Sequence, residues 1–489
     1  MPLPLLVGEI FANAARAAPD RPAAVVDDRV LDFAALEAGA NRLARALAAD
    51  GIATGSRVAG WTGTSLEAVL LFASLAKLGA VFVPLNGLFG VDEVQALLPV
   101  ACPDLVVADE PRAEGARALD VSVRSLPELV EQSAAYSPER LDAPALLSGE
   151  DPHVVFFTSG STGQAKGVVL SHQTNWLRSH PGALPEPRGA MVCPYPLFHM
   201  GAWTIALQQW QARDTVVMVP PDAEAIADAV MRNGASRLNC IPAVWRRLLD
   251  GSGRSSSRGA GRLASLRFAD TGTSATPPEL LDAMAALLPD AHLRVFYGST
   301  EAGTVTCLDQ GDMTRKPGSC GVPAPGVAVR LDDAGQIWVR SATVFDGYLD
   351  DPEATASVLV DGWFGTGDLA DVDGDGFLTI VGRTGEVVRS GGEAVVPAEV
   401  EAVVRELASV ADVAVVGVPD ATWGEVVCAV VVGVPGRAPP TLSEVRAHCQ
   451  DRLASFKQPR RVEVVDAIPR TPATGQVQRK LLVERLARA

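Results

Sequence analysis

Thr158-Ser159-Gly160-Ser161-Thr162-Gly163-Gln164-Ala165-Lys166-Gly167 follows directly on the apolar run Val154-Val155-Phe156-Phe157. Backbone N–H groups and hydroxyls of a loop so rich in serine, threonine and glycine can cradle phosphate oxygens, and Lys166 adds positive charge. The GxxxxGK[ST] spacing of a Walker loop is absent. Taken alone, the stretch is equally a flexible turn. Its surroundings point to an α/β protein. Over roughly the first 380 residues, apolar runs of strand length alternate with amphipathic helical stretches. Leu66 to Gly79 reads as a helix and Ala80 to Pro84 as the strand after it. Alternation of this kind implies helices layered on parallel sheets, and no fixed-period repeat is present.

The chain has 489 residues, too many for one ordinary core, so two or more domains are expected. A hydrophobic fraction of 48% and a mean hydropathy of +0.18 describe a globular protein. The formal net charge of -16 argues against nucleic-acid binding and disfavours anionic membrane surfaces. The first twenty residues lack the basic and apolar regions of a signal peptide. The most apolar stretch, Leu66 to Val91, is broken by Lys77, Pro84 and Asn86 and reads as a buried helix entering a strand, not as a membrane span. Seven cysteines without CxxC spacing suit reduced thiols in a cytoplasm. Six histidines form no HExxH cluster.

Gly251 to Gly261 is a small-residue surface loop by composition. Gly362 to Gly392 is dense in glycine and acidic residues, with Gly365-Thr366-Gly367-Asp368 and a turn at Asp373-Gly374-Asp375-Gly376; this suits a domain junction. A smaller α+β unit follows. Its helices are expected at Pro397 to Leu407 and Leu442 to Leu453, its strands at Val410 to Val418, Val426 to Val432 and Arg461 to Val465, and a basic amphipathic helix ends the chain.

Further motifs follow the first loop in a fixed order: Tyr195-Pro196-Leu197-Phe198-His199, Gly272-Thr273-Ser274-Ala275, Tyr297-Gly298-Ser299-Thr300-Glu301, Trp363-Phe364-Gly365-Thr366-Gly367-Asp368, Gly382-Arg383 and Ser390-Gly391-Gly392-Glu393. Together they resemble the acyl-adenylate-forming superfamily of acyl-CoA synthetases, adenylation domains and luciferases. The resemblance covers nearly the whole chain. It implies a large α/β N-terminal domain of layered sheets and helices over 1–383, a hinge at 384–386 centred on Gly385, and a small mobile α+β domain over 387–489.

The resemblance also implies roles. Thr158, Ser159, Ser161, Thr162 and Lys166 would hold nucleotide phosphates. Glu301 would be the Mg²⁺ carboxylate, since a hard cation bridging phosphates takes oxygen ligands. Thr300 would donate to the α-phosphate. Tyr297, Gly298 and the Gly272, Thr273 and Ser274 segment would flank adenine, and Asp368 with Arg383 would bind ribose. His199 would gate the acyl pocket from the thiol channel. Ser390, Gly391 and Gly392 would line the pantetheine tunnel, and glycine suits close backbone approach there. Trp423 reads either as a stacking face for the CoA adenine or as a tryptophan packed on its own domain. Phe456 and Lys457 read as a second CoA contact on the same terms.

Two departures from the family pattern matter. Pro469-Arg470-Thr471-Pro472-Ala473-Thr474-Gly475-Gln476 places glutamine where the family has the lysine that drives adenylation. Adenylation joins two anions, and a glutamine offers a hydrogen bond without charge. Thioester formation does not need that lysine. The expectation is therefore an acyl-CoA synthetase impaired in adenylation that converts acyl-AMP and CoA to acyl-CoA and AMP, served by a separate adenylating enzyme. This resembles the lysine-less type of natural-product pathways. Arg479 or Lys480, on the same helical face, would be the substitutes if adenylation persists. The second departure is Gly385, where the family commonly has aspartate or lysine. The other readings are a full ATP-dependent carboxylate–CoA ligase, a non-catalytic acyl-adenylate or nucleotide binder, and an adenylation domain loading a carrier protein. The acyl pocket is expected near Pro196 to Trp203, Ile241 to Trp245 and Gly272 to Ser274, and its Trp, Leu, Met and Ile side chains imply an apolar carboxylate.

Overall fold

The computed structural model describes residues 5–159, 165–182, 188–253, 261–390, 393–420, 422–471 and 475–488. Among them four sheets form, three in the large N-terminal α/β part and one in the small C-terminal part. The seven-stranded sheet runs Gly347–Tyr348, Ala165–Ser171, Pro152–Ser159, Val81–Leu85, Arg57–Trp61, Leu105–Ala108, Val123–Ser125. Its last five strands are parallel, and the phosphate-loop hairpin closes the other edge antiparallel. The nine-stranded sheet has a parallel centre, including Met191–Cys193, Arg237–Cys240, Phe268–Gly272 and His292–Ser299, with antiparallel strands at both edges. The sheets are thus mixed rather than wholly parallel.

Leu66–Leu78 shows how the sequence sets an element. The Ser65 side chain accepts from the Ala68 N–H and caps the first turn, while Gly79 at φ 69° ends the helix in the left-handed region. Most of its side chains are buried, so it is hydrophobic nearly all round, as a core helix should be. The strand after it, Val81–Leu85, is buried along its whole length. No described helix is long and apolar enough to cross a membrane. All seven cysteines are free thiols.

Gly365 to Asp368 lies inside the strand Trp363–Val372, and two expectations change. A Cβ at Gly365 would stand 2.8 Å from Gln336 Nε2, so the glycine serves close packing against the neighbouring strand. Gly251–Gly253 end the helix that starts at Pro242; the rest of that loop, 254–260, lies outside the described residues. The helix from Leu442 stops at Cys449.

Strand Leu378–Arg383 closes the third sheet, a 3₁₀ turn Thr384–Glu386 follows, and Val388–Ser390 opens the fourth. The C-terminal sheet is built on the long hairpin Val410–Asp420 and Gly424–Gly433. Alternate residues along both strands feed two cores. Val413, Val415, Val427 and Ala429 pack on one face and Ala414, Val416, Cys428 and Val430 on the other, the latter under the terminal helix Arg479–Arg488.

Candidate functional site

The three N-terminal sheets bring their motif residues to one place. In the phosphate-loop hairpin Thr158 pairs with Lys166 and Ser159 with Ala165. Ser161 and Thr162 lie outside the described residues. Lys166 Nζ stands 4.7 Å from the centre of the Tyr348 ring. The Tyr348 hydroxyl in turn donates to Glu301 Oε1 at 3.4 Å. Burial, then the Glu301 charge, raises the Tyr348 pKa, so the phenol stays protonated and remains a donor. Gly347–Tyr348 reaches this position by pairing with Val168 and Val169 at the sheet edge.

Thr300 and Glu301 sit in the turn between strands His292–Ser299 and Gly303–Asp309. Arg178 holds that turn: its Nη1 donates to the Thr300 carbonyl, Nη2 to the Glu301 carbonyl and Nε to the Thr343 carbonyl, each at 2.8 Å. Burial lowers its pKa to about 10, still charged at neutral pH. Neither Tyr348 nor Arg178 is among the residues the motifs single out. A lone arginine in the helix His172–Arg178 carries no sequence signal; an aromatic beside the glycine of Asp346-Gly347-Tyr348 was a weak one.

On the nucleoside side, the Tyr297 hydroxyl donates to Asp368 Oδ2 at 2.7 Å and Arg383 Nε donates to Asp368 Oδ1 at 2.6 Å. Asp368 is 5% exposed and faces Arg383 across paired strands. Burial and then Asp368 raise the Tyr297 pKa. A Cβ at Gly272 would stand 2.3 Å from the Phe296 carbonyl oxygen, and one at Gly298 would stand 2.1 Å from the Gly303 carbonyl oxygen, so both positions need glycine. Thr273 has φ 66°, rare for a β-branched residue, and its hydroxyl donates to the Gly272 carbonyl at 2.6 Å. Ser274, half-buried, is next in the chain.

His199 is the N-cap residue of helix Met200–Gln211, 4.2 Å from the Phe198 ring between centres. Its Nε2 is buried without a partner among the described residues, and burial lowers its pKa to about 4, so the ring is neutral at pH 7. The tryptophans expected to line an acyl pocket do not. Trp203 stacks on Phe72 at 3.9 Å in the main core. Trp245 belongs to the core on the other face of the nine-stranded sheet and donates to the Asp270 carbonyl at 3.0 Å. Tryptophan reads as pocket or as core from sequence alike, because both are apolar.

The C-terminal set is placed separately. Ser390 is buried and pairs with Gly424, beside Trp423. Gly391 and Gly392 lie outside the described residues. Trp423 is 39% exposed with the Arg460 guanidinium 4.0 Å over its ring. Phe456 packs on the C-terminal core, and Lys457 Nζ pairs with Glu399 Oε2 at 2.6 Å. Gln476 is exposed; its N–H donates to Thr471 Oγ1 at 3.1 Å, and Arg470 ties the turn to Asp412 at 2.8 Å. Arg479 is committed: it pairs with Glu401 at 2.6 Å and Glu386 at 2.8 Å and donates to the Val415 carbonyl. Lys480 is exposed. Around Gly385 a Cβ would meet nothing within 4 Å, so what this glycine adds is backbone freedom, not fit.

The family model described as AMP-binding enzyme matches residues 11–349, and that of the AMP-binding enzyme C-terminal domain matches 399–474. The chain belongs to this adenylate-forming family. It is 32% identical to the long-chain-fatty-acid–CoA ligase FadD13 of Mycobacterium tuberculosis, with 93% of each chain covered. It is 35% identical to the feruloyl-CoA synthase of an Amycolatopsis species, covering 95% of this chain and 97% of that one. Among solved structures it resembles ATP-bound MatB from Rhodopseudomonas palustris, with TM-score 0.87, 30% identity and 98% of both chains covered. Against the apo form of that protein the TM-score is 0.76.

Proposed function

We propose that the chain is a carboxylate–CoA ligase working through an acyl-adenylate, with its adenylation half slowed by the glutamine at position 476. The observation that carries the ligase reading is the linked set Lys166–Tyr348–Glu301 beside Tyr297–Asp368–Arg383, a phosphate side and a ribose side joined by Tyr297 at the end of one strand and Glu301 in the turn after it. The likeness to CoA ligases over nearly the full chain supports the full ATP-dependent reaction. In the first half a carboxylate oxygen attacks the α-phosphorus and pyrophosphate leaves. In the second the CoA sulfur attacks the acyl carbon and AMP leaves.

Residues Thr158, Ser159, Ser161, Thr162 and Lys166 take the phosphates, and Thr300 donates to the α-phosphate. A single carboxylate, Glu301, next to phosphate ligands fits Mg²⁺, which keeps several waters and uses few protein ligands. When bound, that ion offsets phosphate charge. Tyr297, Gly298 and the 272–274 segment flank adenine, while Asp368 and Arg383 bind ribose. The parts that move are 1–383 and 387–489, turning about 384–386. Ser390, Gly391, Gly392, Trp423, Phe456 and Lys457 are the CoA side.

Slow adenylation is favoured by a specific observation. Gln476 is uncharged, and Arg479, one of the two substitute cations, is already bound by two carboxylates, as Arg470 beside the turn is by Asp412. Loss of one transition-state contact of this kind costs about 3–4 kcal/mol, or roughly 10²–10³ in rate. A separate enzyme supplying acyl-AMP would bypass that step.

The test is a split assay on the purified protein. One arm receives a carboxylic acid, ATP, Mg²⁺ and CoA; the other receives the preformed acyl-AMP and CoA. Acyl-CoA is read by mass spectrometry. The acyl-AMP arm should run roughly 10²–10³ faster. Equal rates would discard slow adenylation and leave a full ligase. Nucleotide binding without product in either arm, across apolar and diacid substrates, would leave a binding protein.

A further inference from the structure

We propose that the strand face running down from Gly272 receives a second anionic group of the substrate, so that the acid activated here is a dicarboxylate. The substrate assignment rests on the ligase reading above. Side chains alternate along strands Arg237–Cys240, Phe268–Gly272 and His292–Ser299. Leu238, Ala269, Leu293 and Val295 enter the core beneath the sheet. Arg237, Asn239, Phe268, Asp270, Arg294 and Phe296 therefore share the opposite face, which ends at Gly272.

Three arginines and two carboxylates meet there, and both carboxylates are taken. Arg294 binds both oxygens of Asp270, each at 2.8 Å. Asp214 accepts from the backbone N–H groups of Arg188 and Gly189. Arg237 Nε donates to the Arg188 carbonyl at 3.2 Å and its guanidinium lies 3.9 Å over the Phe268 ring. Among the described residues its two terminal amino groups have no partner. Arg188 Nη1 is shielded from solvent and is likewise unpartnered. Burial, then repulsion from Arg188 and Arg294, lowers the Arg237 pKa to about 10. Only Arg188 Nη1 is closed off from water; a carboxylate accepting from both guanidiniums would give it the acceptor it lacks and add charge-assisted bonds to Arg237.

The register places Arg237 beside Phe268, four residues from Gly272. At about 3.3 Å per residue the cations stand ~13 Å from Gly272, the span of an acid of roughly 8–12 carbons with charge at both ends. Phe296 flanks the Gly272 end and Phe268 the arginine end, with the Asp270–Arg294 pair and Asn239 between them. An apolar carboxylate, as read from the sequence, thus gains a distal charge.

The experiment measures binding and turnover of matched mono- and α,ω-dicarboxylic acids of increasing length. Binding is read by calorimetry without ATP or CoA, and turnover by acyl-CoA formation from the corresponding adenylates. Wild type should bind the diacid of matching length at least about tenfold more tightly than the monoacid. Arg188→Gln and Arg237→Gln should erase that preference without changing monoacid binding, and Arg237→Lys should keep part of it. Equal binding of both series to wild type, or an unchanged preference in both glutamine variants, would overturn the proposal. If the glutamine variants do not fold, the wild-type preference decides alone. Diacid binding that depends on both arginines, with no acyl-CoA formed from any adenylate, would uphold the site while the ligase reading fails.

Discussion

Tyr348 joins two groups that the sequence keeps far apart. Its ring lies under Lys166 and its hydroxyl reaches Glu301, so one phenol links the phosphate-side cation to the carboxylate proposed for Mg²⁺. Tyr348→Phe keeps the ring and removes the donor. The expected outcome is a several-fold higher KM for Mg·ATP in the acid-plus-ATP arm, about the worth of one ~1 kcal/mol hydrogen bond, with the acyl-AMP arm unchanged. Steady-state kinetics in both arms check this; equal effects in the two arms would move Tyr348 to a general structural role. Lys166, Thr300, Glu301, Tyr297, Asp368 and Arg383 were legible as candidates because their residue types sit in ordered motifs. Tyr348 and Arg178 were not. They act by bonding to a carboxylate and to main-chain carbonyls across the fold, and such partners exist only once distant strands have met.

At the level of elements, the N-terminal helix Gly8–Ala17 is anchored through a histidine. The Val7 N–H donates to His172 Nδ1 at 3.2 Å, so the ring carries its proton on Nε2, which is buried without a partner among the described residues. Burial lowers the His172 pKa from 6.5 to about 4, with Asp151 opposing. The unfolded chain takes up the proton first. Stability is therefore intact above the unfolded pKa, declines as pH falls through it, and stops declining below about 4. At pH 5 the loss from this residue is about 2 kcal/mol. Protonation also turns the Nδ1 acceptor into a donor facing the Val7 N–H. Thermal midpoints should drop less between pH 7 and pH 5 in His172→Asn than in wild type; equal drops would remove His172 as the sensor.

Leu66–Leu78 and Gly424–Gly433 follow from the sequence because each is a long apolar run buried along most of its length. Trp203 and Trp245 misled because apolar residues do not declare which face of a sheet they cover. The charged face of Arg237, Asp270 and Arg294 was missed for a related reason: its members lie on three strands, and only the register lines them up.

For the whole molecule, the C-terminal unit presents Gln476 on a turn fastened to its own sheet by Arg470–Asp412, and Arg479 binds the turn 384–386 through Glu386. The one position where the family expects a mobile cation is thus neutral, and its neighbour is spent on holding the C-terminal unit together. Charge at position 476 limits the first half-reaction and not the second, and running the split assay on wild type and Gln476→Lys decides it. Lysine should raise the acid-plus-ATP rate by roughly 10²–10³ and leave the acyl-AMP rate within about twofold. An unchanged acid-plus-ATP rate, or an equal gain in both arms, would contradict it.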